Sequence, residues 1–130
     1  MIKDYTNMSF QVNKKDQYTQ IKVNSEKLDT TVAPALKSEL VILNADGVKH
    51  IILDLSAVRY CDSSGLSSIL VANRLCKNVN GAFVLTGLQE PVGKLIAISQ
   101  LDSILNIATS EQESIDLLFA QLAKNSGTDT

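Results

Sequence analysis

The chain has 130 residues, 45% of them hydrophobic and 20% charged, the profile of one globular domain rather than a disordered segment. Twelve Lys and Arg against fourteen Asp and Glu leave a net charge of −2. The basic excess of a phosphate-backbone binder is missing, and no nucleic-acid partner is expected. No apolar run approaches the ~18–20 residues of a transmembrane helix, so direct membrane insertion is not expected. Met1–Tyr5 has no apolar core, which predicts no secretory signal and a cytoplasmic protein. Cys61 and Cys76 fit neither a zinc nor a redox spacing, which predicts two free thiols, no metal and no cofactor.

Met8–Val12 and Tyr18–Val23 alternate apolar and polar residues across the polar turn Asn13–Gln17. That pattern predicts an antiparallel hairpin with one wet face. From Thr31 the period lengthens, with Val32, Leu36, Leu40 and Leu43 recurring every three to four residues. A helix follows, with Pro34 tolerated in its first turn and Gly47 suited to a left-handed stop. His50–Leu55 is a nearly continuous apolar run of strand length, suited to a central strand covered on both faces. Ser63–Val79 reads as a second helix with Leu66, Ile69, Leu70, Asn73, Cys76 and Val79 along one side. Ala82–Thr86 is the next strand, Glu90 to about Gln100 a third helix, and Ile104–Ile107 a short last strand. Ser110 and Glu113 form a capping box that opens a final helix with Ile115, Leu118, Phe119 and Leu122 on its buried side. The predicted fold class is therefore α/β. It is a single domain over residues 1–124, a mixed sheet with an N-terminal antiparallel hairpin, parallel strands and about four helices. Residues 125–130 read as a flexible polar tail.

The stretch Tyr60-Cys61-Asp62-Ser63-Ser64-Gly65-Leu66 joins the buried strand to the second helix. Such a junction lies outside the carboxyl end of a strand, where open α/β sheets place their functional groups. Asp62 or Ser63 suffices to cap the helix. A carboxylate, two hydroxyls and a glycine together exceed that need, and bare backbone at Gly65 would let a partner approach a serine closely.

Val58–Leu66 resembles the phosphorylation loop of bacterial anti-sigma factor antagonists, members of the STAS domain family. The likeness runs from about Met8 to Leu122. It includes the Leu28-Asp29 step after the hairpin, Ile51–Ser56 before the loop, Gly81–Leu88, and Ile104–Ile107. The resemblance implies a protein switch that binds an anti-sigma factor, itself a serine kinase of the histidine-kinase-like ATPase fold. The kinase phosphorylates a serine at the helix start and is released, and a PP2C-type phosphatase resets the switch. That serine falls on Ser64. Asp29, Asp62, Ser63 and Gly65 fall on the contact surface beside it, and Asp29 also reads as a cap for the first helix. A monomer or weak dimer is implied. The chain departs from the family at Ser25-Glu26-Lys27, where the turn often holds glycine, and at Gln100, where glycine is usual.

Two alternatives can be weighed on the residues. Gly65-Leu66-Ser67-Ser68 begins like a nucleophile elbow, but Ile69 occupies the place of the closing glycine. The single histidine, His50, is expected at the opposite end of its strand from the serines, so no enzyme is expected. A scaffold subunit of a lipid or sulfate transporter is the other alternative, and the retained Ser64 favours the switch.

Overall fold

Three antiparallel strands open the chain in the computed structural model, which describes residues 4–6 and 9–127. They are β1 (Asp4–Thr6), β2 (Phe10–Lys14) and β3 (Thr19–Val23). Alternation makes the β2–β3 hairpin as expected. Phe10, Val12, Ile21 and Val23 are buried, while Gln11 pairs with Lys22 and Asn13 with Gln20 on the other face. Strand β1, pairing with β2, has no counterpart in the sequence reading. Residues 1–3, Met8 and 128–130, on which the leader, first-strand and tail expectations partly rest, lie outside the described residues.

Helices and strands then alternate: β4 (Lys27–Leu28), α1 (Ala33–Ala45), β5 (Ile51–Asp54), β6 (Tyr60–Cys61), α2 (Ser63–Asn78), β7 (Phe83–Thr86) and α3 (Glu90–Ile98). A short 3-10 turn (Leu101–Ser103), β8 (Asn106–Ala108) and α4 (Glu111–Gly127) complete the chain. The main sheet has the order β1-β2-β3-β5-β7-β8, and β3, β5, β7 and β8 run parallel. Two buried layers result. Leu36, Leu40 and Leu43 of α1, Ile69 and Cys76 of α2, and Val92 and Ile96 of α3 pack with Ile21, Leu53 and Leu85 on one face. On the other face, Leu118 of α4 packs with Ile52, Ala82, Val84 and Ala108.

Several expectations are corrected. The last strand is Asn106–Ala108 rather than Ile104–Ile107, because Ile104 closes the 3-10 turn and is half exposed. Phe119 is exposed, since only Leu118 and its neighbours reach the sheet from α4. The side of α2 that is buried includes the small residues Gly65, Ser68 and Ala72, which let it lie close, while Leu66, Leu70 and Val79 are half buried. The capping box is displaced by one residue. Ser110 Oγ accepts from the Glu113 N–H at 3.1 Å, but Glu113 Oε1 accepts from the Thr109 N–H at 2.6 Å. Helix α4 continues to Gly127, through the first three residues of the expected tail.

Gly47 adopts the left-handed φ of 92° expected of it, and Gln100 adopts φ 61°. The family's usual glycine at position 100 thus has a backbone reason. A left-handed residue bearing a Cβ costs ~1–2 kcal/mol, partly offset because glycine loses more entropy on folding. Gln100→Gly should therefore stabilise the domain by up to about 1 kcal/mol in urea denaturation, and a destabilised variant would contradict this.

Candidate functional site

The site is assembled by two strands too short to leave a pattern in the sequence. β4 and β6 pair in parallel, Lys27 with Tyr60 and Leu28 with Cys61. The next residues along the two strands are Asp29 and Asp62, so the ladder leads both carboxylates to one edge. The Asp62 N–H donates to the Leu28 carbonyl at 3.4 Å, and the Arg59 and Tyr60 amides donate to Glu26 at 2.7 and 3.0 Å. Helix α2 is drawn onto this ladder at Gly65. A Cβ there would run into the Leu28 carbonyl and lie 2.6 Å from Cys61 Sγ. The bareness of Gly65 is thus spent inside the chain. The residue is buried, which corrects the expectation that it offers open backbone to a partner.

Asp62 caps α2 with a single oxygen. Its Oδ1 accepts from the Ser64 N–H at 3.0 Å, the Gly65 N–H at 3.1 Å and the Ser64 hydroxyl at 2.6 Å. Asp29 makes a matching arrangement ahead of α1. Its Oδ1 accepts from the Thr31 N–H at 3.0 Å and the Thr31 hydroxyl at 2.6 Å, and its carbonyl accepts from the Val32 and Ala33 amides. The capping role considered for Asp29 is therefore present. The Ser64 hydroxyl holds the carboxyl of Asp62 below the usual carboxylate range, and the Thr31 hydroxyl does the same for Asp29. Each of these hydrogen bonds favours the charged form. The charge of Asp62 acts on Asp29 in the opposite sense, so the two carboxylates feel one another. Ser63 is exposed, whereas Asp29, Asp62 and Ser64 are half buried.

Around this edge, Tyr60 is 53% exposed, and Arg59 meets Glu26 at 3.9 Å on the open surface. Sequence reasoning did not single out Tyr60; its place on a two-residue strand left no periodic signal. Cys61 beneath the loop is buried, and burial pushes its thiol up to about 11. Cys76 in the core is pushed to about 12 by the same cause. Both are free thiols, with little thiolate to react near neutral pH.

The elbow serine and the histidine lie far apart in role. Ser67, at the elbow position, is half buried in α2, and its neighbour Ser68 is buried and donates to the Gly65 carbonyl at 2.7 Å, while His50 precedes β5 and its Nδ1 accepts from the Ala82 N–H at 3.2 Å. Among the described residues, no cluster of His, Cys, Asp and Glu could hold a metal ion. No described helix is long and apolar enough to cross a membrane.

The mixed sheet, the two Asp loops and Ser64 at the start of α2 together define a STAS-type domain. Residues 9–114 match the STAS domain family, and the chain belongs to it. It is 25% identical over 101 residues to the anti-sigma-B factor antagonist of Staphylococcus aureus, a match spanning 78% of this chain and 93% of that protein. Its fold is shared with a candidate anti-sigma factor antagonist of Thermotoga maritima, with TM-score 0.76 and 23% identity over 85% of this chain and 95% of that one. It is shared too with the Bacillus cell fate determinant SpoIIAA in its phosphorylated form, with TM-score 0.66 and 24% identity over 82% and 96% of the two chains.

Gly65→Ala separates packing from propensity. In an open helix the change gains up to about 1 kcal/mol, but here the Cβ meets the Leu28 carbonyl, and overpacking should cost about 1–3 kcal/mol in denaturant titration. A stabilised variant would contradict the packing. A second expectation concerns pH. The folded carboxyl of Asp62 titrates below its unfolded value, so its contribution is present above that unfolded value and is lost as pH falls through the folded one. The stability difference between wild type and Asp62→Asn should therefore shrink as pH drops below about 4. A difference unchanged between neutral and strongly acid pH would contradict the charge-based cap.

Proposed function

We propose that this protein is an anti-sigma factor antagonist whose binding is switched by phosphorylation of Ser64. Its partner is an anti-sigma factor that is also a serine kinase of the histidine-kinase-like ATPase fold, and a PP2C-type phosphatase reverses the modification. The switch acts in the cytoplasm, where ATP is available, and its output is transcription. Asp29, Asp62 and Ser63 contact the partner, while Gly65 positions Ser64 from beneath. The observation that carries this reading is the Ser64 hydroxyl, half exposed at the first turn of α2 and 2.6 Å from Asp62 Oδ1. The name of the Staphylococcus relative supports the antagonist role.

The chemistry of the switch follows from that hydroxyl. Ser64 Oγ attacks the γ-phosphorus of ATP bound to the kinase. The bond to ADP breaks, and the hydroxyl proton leaves to a base. The product carries about −1.5 to −2 charges at pH 7. It no longer has the proton that Ser64 donates to Asp62, and it now faces that carboxylate. The amides at the start of α2 attract it by about 0.3–1 kcal/mol at an exposed site. Repulsion from Asp62 and Asp29 turns it outward, toward the surface where the partner packs. Burying a dianion there without a cation costs several kcal/mol, and each 1.4 kcal/mol is tenfold in affinity. Release is therefore local.

Incubation with the cognate kinase and ATP should add one phosphate, mapped by mass spectrometry to Ser64. Ser64→Ala should keep the kinase bound whether or not ATP is present. Ser64→Asp should bind at least ~10-fold more weakly in calorimetry. Modification at Ser63, Ser67 or Thr31 instead, or tight binding of Ser64→Asp, would overturn the assignment.

A further inference from the structure

At the end of the sheet opposite Ser64, the β2–β3 turn and the loop before β5 border an open pocket of about 260 Å³. Lys14 and Lys15 line it from the turn, and Lys49 and His50 from the loop. The lining carries three lysines against one carboxylate, Asp16, on a chain whose net charge is −2. Asp46, at the end of α1, precedes the lining residue Gly47. A concave site lined mainly by one sign of charge focuses its field and concentrates the opposite ion.

Backbone hydrogen bonds and close packing tie the frame of this pocket together. The Lys15 N–H donates to the Tyr18 carbonyl at 2.8 Å, and the Thr19 N–H to the His50 carbonyl at 2.9 Å. A Cβ at Gly81 would strike the Lys49 carbonyl, so the loop is seated against the start of the next strand. The His50 ring is oriented as well. Its Nδ1 accepts from the Ala82 N–H at 3.2 Å, so the neutral ring carries its proton on Nε2 and can donate from there. Burial and the charge of Lys49 hold the imidazole below its ordinary value, which keeps that tautomer in place near pH 7.

We infer that this pocket is a binding site for a phosphate-bearing small molecule, held by the ammonium groups of Lys15 and Lys49 with His50 Nε2–H as a neutral donor. Two compact point charges and one fixed donor suit a tetrahedral oxyanion. The concavity favours a small ligand over an acidic protein face, because His50 is half buried and a flat surface would not reach it. The site is independent of Ser64 and its partner.

The test is a titration of 15N-labelled protein with inorganic phosphate, and separately with glycerol phosphate, against sodium chloride at matched ionic strength. Saturable amide shifts are expected at residues 14–19 and 47–50 and not at 62–66, with binding at least tenfold weaker in Lys49→Glu. Saturation by glycerol phosphate alone would identify a phosphate ester as the ligand, and saturation by both a free phosphate site. Absence of saturable shifts beyond those of chloride would overturn the inference. So would equal affinity in a folded Lys49→Glu, or a response only to an acidic polypeptide such as polyglutamate.

Discussion

Helix α2 lies against β4 because Gly65 presents bare backbone to the carbonyl of Leu28. The rest of the site depends on that approach. It seats the first turn of α2 on the β4–β6 ladder, and the ladder's register carries Asp29 and Asp62 to the same edge. It also sets Ser64 one residue from the contact, where its hydroxyl reaches Asp62 Oδ1. Each Asp satisfies the amides of its own helix start, so the carboxylates serve the fold before they serve any partner.

On the proposed reading, that double use lets a charge change act at this edge without a change of fold. The edge already holds two carboxylates that act on one another, and both are kept ionised by hydroxyl and amide donors. A phosphate added to Ser64 would face both of these carboxylates. Behind it, the parallel strands β5 and β7 and the buried layer of Leu53, Leu85 and Ile69 give a packed support. Close-packed interiors resist gradual deformation. On the proposed reading, the added charge is therefore expressed at the surface rather than through the core.

Much of this was legible in the residues and some was not. Hairpin, central strands and helices announce themselves through period, because each buries one continuous face: Phe10, Val12, Ile21 and Val23 alternate, and Leu36, Leu40 and Leu43 recur helically. The loop from Asp62 to Gly65 was legible through its residue types and its family resemblance. The ladder that positions it was not, since two residues cannot show a period. For the same reason the inward role of Gly65 was missed, because a glycine's contacts belong to whatever long-range neighbour arrives, here Leu28. Phe119 looked buried from its helical spacing, but a helix over the sheet's edge buries a narrower stripe, centred on Leu118. Gln100 marked a departure from the family, and its left-handed backbone shows what the departure costs.

Among the described residues, the two Asp loops and the start of α2 form one continuous edge, and phosphorylation of Ser64 is proposed to act only there. The most direct measurement is a comparison of backbone amide spectra of the unphosphorylated protein and the Ser64 phosphoprotein. Shift changes confined to residues 28–31 and 60–68 are predicted, with the amides of β5, β7 and β8 unmoved. Changes spread across those strands would contradict a local mechanism and require a conformational one.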